Sequence, residues 1–469
     1  MNLTVPVEPP PSSNYRPPAP ARRSEAAILA RAVFLRQRDL LNLLPAEAYR
    51  LKMGKVPIGR RRIWIVNDPK LIRRILVEKA EDYPKSDLMV AALKPLVGDG
   101  IFISNGHTWK RQRRMIEPSF AHMRLTTAYP QMVGAVDTLI GELAAAKGPV
   151  ELDAAMSRVT ADAIYRTIFS EPLASSDARG VFDAFQRYQD VVPQVNPKTI
   201  ISSPANGSFD DVPAVVSACR EIRGVLGRLV DRRLAEEAAG KVRDGDDLAG
   251  AVMAARDKET GTRFDRDELI DQIAVFFLAG HETSASVLAW SFFILSQTPD
   301  IAARIRDEVR GIVGDGPIEY AHIARMAYTR AVFKETMRLY PPVSFITRIA
   351  TKSDEMRDHK VEPGDLVVVS PWLVHRHDKF WKEPEVFRPE RFLPENEKQL
   401  KPDTYLPFGL GPRVCPGGGF AQTEGVLILA SLTRRFAFET LSPEKVNPVC
   451  RMTVRPDAAI RARVVDLAR

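Results

Sequence analysis

The 469-residue chain is 45% apolar, 27% charged and 8% aromatic, a composition that builds a sizeable core and excludes a disordered or peptide-sized scaffold. Its formal charge of +8, from 67 Lys and Arg against 59 Asp and Glu, is modest for the length and does not demand a nucleic-acid partner, although it allows a local basic docking face. Three cysteines, Cys219, Cys415 and Cys450, are too few and too scattered for a disulfide framework and point to a reducing, cytoplasmic setting.

Residues 1–25 are expected to form a flexible, proline-rich leader, because seven of the 36 prolines fall in the first 20 positions, with no apolar run for a signal peptide or membrane anchor. Ser24 to Leu51 carries a helical pattern, and Val56 to Val66 an extended one with a basic turn at Arg60, Arg61 and Arg62. Apolar residues at three- and four-residue spacing predict helices over 68–80, 107–116, 127–147, 153–169 and 211–239, with breaks at Gly98, Gly100, Gly148 and Pro213. Helices over 265–297, 298–313 and 325–340 follow, then short strands at Val343–Ile349 and Leu366–Ser370. A proline-rich coil from His377 to Pro412 leads into a last long helix at Gly418–Arg435, and coil of that length inside a compact domain is usually functional. The apolar run Ile273 to Leu295 resembles a membrane span, but His281, Glu282, Thr283 and Ser284 interrupt it, so it reads as a buried core helix. No linker divides the chain after residue 25, and a single mainly α domain is expected over 26–469.

The most informative segment is Phe408-Gly409-Leu410-Gly411-Pro412-Arg413-Val414-Cys415-Pro416-Gly417-Gly418-Gly419-Phe420-Ala421. Glycines let backbone approach a flat ligand, and a helix N-terminus offers N–H groups and positive dipole to a thiolate. Zinc would want further Cys or His ligands nearby, and a dithiol centre a second cysteine, whereas a haem iron needs one protein thiolate. Cys219 and Cys450 read as core residues.

The pattern filled by Phe408, Gly411, Arg413, Cys415, Gly417 and Ala421 resembles the haem-binding loop FxxGxRxCxGxxxA of cytochrome P450 monooxygenases. Glu335 and Arg338 lie three apart on a helix and can pair, an arrangement that alone is usually a solvated surface pair. Followed by Pro389-Glu390-Arg391-Phe392, they resemble the family's ExxR and PERF elements. Ala279-Gly280-His281-Glu282-Thr283 resembles its AGxET oxygen-activation motif, and Trp109 with Arg113 its WxxxR helix.

The resemblance implies a cytochrome P450 fold, mainly α with a small β-rich lobe, haem b as cofactor and Cys415 as iron ligand. It implies a buried charge network of Glu335, Arg338 and Arg391 behind the haem. Gly280 would open the helix above the ring, Thr283 would hydrogen-bond in oxygen activation, Glu282 would link it to solvent protons, and His281 would face away from iron. Trp109, Arg113, Arg348 and Arg413, with His107 as a further candidate, would hold the propionates beside Phe408 and Gly417. A loop around Met89 to Phe102, with both of those residues, and Val275, Ala279, Val343, Phe345 and Met452 would line a pocket for a lipophilic fatty acid, terpenoid, steroid or aromatic compound, a fatty-acid-like chain being the favourite.

The implied activity is insertion of one atom of O2 into that substrate, by a monomer without a membrane anchor. Electrons would come from NAD(P)H through a separate ferredoxin or flavodoxin and its reductase, drawn by Lys110, Arg111 and Arg114 on the proximal face. A peroxygenase or dehydratase, or a non-catalytic haem sensor or lipid-binding protein, remain rival classes; the Glu282-Thr283 pair argues against the first.

Overall fold

The structure, a computed structural model, describes residues 14–28, 39–56, 61–122, 125–173, 176–191, 213–241 and 247–467. Its longer helices are α1 (Asp87–Val97), α2 (Gly106–His122), α3 (Leu125–Ala145), α4 (Leu152–Phe169), α5 (Ser176–Val191), α6 (Pro213–Ala238), α7 (Leu248–Ala254), α8 (Arg266–Gln297), α9 (Pro299–Val313), α10 (Ala327–Leu339) and α11 (Gly418–Arg435). The strands are β1 (Met53–Val56), β2 (Ile63–Val66), β3 (Val150–Glu151), β4 (Ile346–Ile349), β5 (Asp354–Met356), β6 (His359–Val361), β7 (Leu366–Val369), β8 (Phe436–Thr440), β9 (Pro448–Cys450), β10 (Val454–Pro456) and β11 (Arg461–Asp466).

Helix α8 is the axis of the molecule. Asp265 starts it with a capping box, its carboxylate accepting the Glu268 N–H at 2.8 Å while Glu268 accepts the Asp265 N–H at 3.0 Å. Apolar residues then occupy all faces, and α4, α6, α10, α11 and β8 pack around it. Among the described residues it is the one helix long and apolar enough to cross a membrane, and 83% of its most apolar stretch is buried in the protein. Its core reading therefore holds.

The β-rich lobe is a four-stranded sheet ordered β1-β2-β7-β4, with β2 and β7 parallel and the other pairs antiparallel. One face covers a second, smaller core containing Met53, Trp64, Val66, Ile72, Val367, Val369 and Leu406. A three-stranded antiparallel sheet, β3-β11-β8, and the pairs β5/β6 and β9/β10 complete the strands. The pairing of β4 with β7 sets Arg348 opposite Val367, and a bridge from Lys85 meets Arg348 from the other side.

Three expectations change. Within Ser24–Leu51 the described part after residue 38 forms 3-10 turns at Leu41–Leu43 and Ala46–Tyr49 instead of one helix, because Pro45 between them has no N–H to continue a helical ladder. The segment from Met89 towards Phe102, expected as a loop, begins as helix α1, which Ser86 caps by accepting the Met89 N–H at 3.3 Å. The proline-rich leader is not free over residues 14–25. Tyr15 O accepts the Phe387 N–H at 2.9 Å, Pro18 O accepts the Tyr340 hydroxyl at 2.7 Å, and Arg22 pairs with Asp378 and Glu385 at 2.9 and 2.7 Å. The rest of the leader, 1–13, lies outside the described residues.

Candidate active site

The coil from His377 closes on the cysteine loop. There Phe408 O accepts the Cys415 N–H at 3.0 Å, and Gly411–Arg413 form a 3-10 turn. Gly411 has φ +75° and a Cβ on it would lie 2.1 Å from Leu76 O, so both the conformation and the space call for glycine. Cys415 stands at the entrance of α11. Burial pushes its thiol up, while the Gly417 N–H and the Arg113 guanidinium favour the thiolate. The residue is nevertheless surface-accessible, and the protein packed around the sulfur accounts for its desolvation.

Cations converge beside it. Lys85 and Arg348 are buried, and Arg413 is half-buried with its guanidinium 4.2 Å above the Trp109 ring. Arg413 donates to Ser104 O at 3.1 Å and Asn105 Oδ1 at 3.0 Å, Arg348 to Thr347 O at 2.9 Å, and Lys85 to Ile101 O at 3.2 Å and to Phe102 O. Among the described residues none of the three meets a carboxylate. Burial lowers Arg413 to about 10; burial and then Arg413 lower Arg348 to about 10; burial and then Arg413, Arg348 and Arg113 hold Lys85 well below the usual lysine range. Arg113 donates to Val414 O at 2.9 Å and pairs with Glu117 at 3.2 Å. His107 is exposed, and no hydrogen bond or ion pair joins it to this cluster.

Behind the loop, Glu335 and Arg338 form a fully buried two-bond ion pair, 2.7 and 2.8 Å. Arg338 also donates to His375 O, Pro384 O and Val386 O at 2.8, 2.7 and 3.2 Å, and Glu335 accepts the Arg388 N–H at 2.8 Å. Arg391 approaches Glu335 at 3.4 Å and donates to Glu383 O at 2.9 Å. His375 accepts the Leu406 N–H at Nε2, 2.7 Å, so its Nδ1 carries the proton and donates to Arg338 O at 3.2 Å. The three charged residues are thus gathered around the backbone of the coil.

On α8, Ala279 and Thr283 are half-buried amid buried neighbours and share one face. The Thr283 hydroxyl donates to Ala279 O at 2.6 Å. Gly280 does not open that face: a Cβ there would lie 2.7 Å from Ile164 Cγ1, so the glycine sets how closely α4 approaches. Glu282 is not free either. It is buried and accepts hydrogen bonds from Arg455, 2.7 Å at Oε1, from the Thr453 hydroxyl at 2.8 Å and from the Gln189 amide. His281 is fully buried against Phe182, Phe277 and the Ser157 hydroxyl, and burial lowers it to about 4.

The profile of the cytochrome P450 family matches residues 46–460. The chain belongs to the cytochrome P450 family. It is similar to cyclooctatin synthase of Streptomyces melanosporofaciens, 29% identical over 91% of each chain. A cyclooctat-9-en-7-ol 5-monooxygenase of the same organism is 28% identical over 86% of each. The cytokinin hydroxylase of Arabidopsis thaliana is 27% identical over 86% of this chain and 80% of that one. The crystal structure of the cytochrome P450DA heme domain shares the fold with a TM-score of 0.78, at 24% identity over 88% of this chain and 90% of that one. The protein is a haem-dependent monooxygenase, with O2, an organic substrate and a redox partner.

This P450's residues fit the cofactor. One thiol sits at a helix N-terminus, and three desolvated cations without carboxylate partners match the two carboxylates of haem. Of the expected pocket residues, Met89, Phe102, Phe345 and Met452 are partly buried against the main core, Val275 is buried, Ala279 half-buried and Val343 exposed. The expected basic docking face is not made by Lys110, Arg111 and Arg114. Each meets a carboxylate of this chain, respectively Glu81 at 2.5 Å, Glu268 at 2.5 Å, and Asp257 with Glu259 at 3.1 and 2.8 Å. Lys85, Asn105 and Arg455 belong to the site but to none of the motifs. For neither Lys85, which stands between Tyr83-Pro84 and the polar Ser86-Asp87, nor Arg455 does the sequence hold a hint.

Proposed function

We propose that this P450 hydroxylates a lipophilic small molecule, with Cys415 as the ligand of haem b. The observation that carries the reading is the desolvated Cys415 sulfur at the N-terminus of α11, receiving the Gly417 N–H beside the uncompensated charges of Lys85, Arg348 and Arg413. Bound haem supplies O2 activation and transfer of one oxygen atom to substrate, the other leaving as water, with thiolate ligation enriching the iron in electron density.

The protein's part is to bind, orient and manage protons. Lys85, Arg348 and Arg413, with Arg113 and Trp109, neutralise and orient the carboxylates. Thr283 turns its hydroxyl from Ala279 O into the cleft, where it donates a hydrogen bond. Glu282, paired with Arg455, whose side chain is partly exposed, is the link from this face of α8 towards solvent. Val275, Ala279, Phe102, Phe345, Met89 and Met452 give an apolar lining that excludes water and favours a lipophilic substrate. One Streptomyces relative is named as a monooxygenase of cyclooctat-9-en-7-ol, a cyclic alcohol, so lipophilic cyclic alcohols stand beside fatty acids as first substrates.

NAD(P)H reaches the chain through a ferredoxin or flavodoxin and its reductase. Residues 26–469 act as one domain, in the cytoplasm and as a monomer. Titration of the oxidised holoprotein with dodecanoic acid, a terpenoid alcohol and a steroid tests the substrate class. At least one should shift the Soret band and, with NADPH, ferredoxin and reductase, yield product carrying one atom from labelled O2. No shift and no labelled product from any of them would overturn the proposal.

A further inference from the structure

Between α1, α6 and the first turns of α8 runs a groove of about 610 Å³ that shares no lining residue with the site described above. Its α6 wall is one helix face, since Val216, Arg220, Arg223, Gly227 and Asp231 recur at intervals of three and four residues. A Cβ on Gly224 would meet nothing nearer than Arg228 Nη1 at 4.0 Å, so the absent side chain keeps the middle of the groove open. Pro95, Val216 and the buried Ile270 give it apolar surface. The charges around it do not cancel. Arg266 takes both lining carboxylates, Asp231 at 2.6 and 2.8 Å and Asp267 at 3.1 Å, and Arg223 is taken by Asp271 at 2.7 Å and Leu96 O at 3.2 Å. Arg220 and Arg228 are exposed, and among the described residues neither has a hydrogen bond or an ion pair. They flank Gly224, each about 6 Å from it along the helix axis.

We infer that this groove is a second binding site, for a long-chain carboxylate whose head pairs with Arg220 and Arg228 and whose chain lies over Gly224 against Pro95, Val216 and Ile270. A guanidinium meets a carboxylate through parallel N–H···O bonds, and two of them without partners leave the groove an excess of positive charge. The apolar wall selects an amphiphile over a bare anion, because a free phosphate would gain the charge pairing and nothing from Ile270 or Val216. An occupant also stands against residues that position the substrate side. Arg223 in the groove holds Asp271, and Asp271 accepts the Asp99 N–H at 2.9 Å in the loop leading to Phe102. The site lies apart from the cysteine loop, so it does not depend on the substrate class proposed above.

Calorimetric titration of the holoprotein with decanoate, decan-1-ol and inorganic phosphate, followed in parallel in the Soret band, tests the inference. Decanoate should show a binding event that leaves the Soret band unmoved, weakens with added salt and is about tenfold weaker in Arg220→Ala/Arg228→Ala. Gly224→Phe keeps both arginines and fills the groove, and it should abolish the event. All three positions are exposed on α6, so the fold is spared. Decan-1-ol should bind the wild type and the double variant alike, and phosphate should bind more weakly than decanoate. Because the event is silent in the Soret band, it is read apart from any shift caused by a substrate at the haem. Absence of a silent event, decanoate affinity unchanged in the double variant or in Gly224→Phe, an equal loss for decan-1-ol, or phosphate binding as tightly as decanoate would overturn the inference.

Discussion

At the scale of single residues, the site depends on side chains that no neighbour could replace. Arg338 donates five hydrogen bonds, two to Glu335 and three to backbone carbonyls of the segment that leads to the cysteine loop. Glu335→Ala leaves that guanidinium buried without its counter-charge, a loss of about 3–5 kcal/mol, concentrated behind the loop that presents Cys415. The expected outcome is protein that expresses but carries little haem, read from the ratio of Soret to protein absorbance; full haem content would refute the structural role. Cys415, Glu335, Arg338 and Thr283 were legible because each sits in a contiguous motif whose spacing carries meaning. Lys85 and Arg455 were not, since each acquires its role from a partner brought near only by folding: Arg348 for Lys85, Glu282 for Arg455.

Among the elements, α8 shows where motif reading stops. Its length and all-round apolarity were plain in the sequence, and its capping box fixes its start. The role of Gly280 was not, because what a missing Cβ makes room for depends on the facing helix. With Ile164 Cγ1 2.7 Å from that position, Gly280→Ala overpacks the α4–α8 contact at about 1–3 kcal/mol. Ile164→Ala makes room, so the double variant should be more stable than additivity of the single changes allows. Denaturant unfolding of the four proteins measures this, and strict additivity would show that Gly280 faces something else. The 3-10 turns around Pro45 and the short helix α7 escaped periodicity for a related reason: they are too brief to repeat an apolar pattern and are held by long-range contacts.

For the whole molecule, Glu424 couples folding to pH. Its folded value, raised by burial from the ordinary 4.5 to about 8, means that folding takes up a proton between those limits. This contribution to stability is fully present below 4.5, falls by at most about 1.4 kcal/mol per pH unit as pH rises, and is gone above 8. Subtracting the Glu424→Gln stability from the wild-type value across pH 5–8 should expose the slope, and a flat difference would mean that Glu424 ionises normally.

The central claim is that Cys415 presents a thiolate to haem iron, and the carbon monoxide difference spectrum of the reduced holoprotein reads that ligand directly. The account predicts the far-red-displaced Soret band of a thiolate-bound haem, abolished in Cys415→Ser and kept in Cys219→Ser and Cys450→Ser. A folded, haem-loaded wild type without that band, or a Cys415→Ser variant that retains it, would contradict the account.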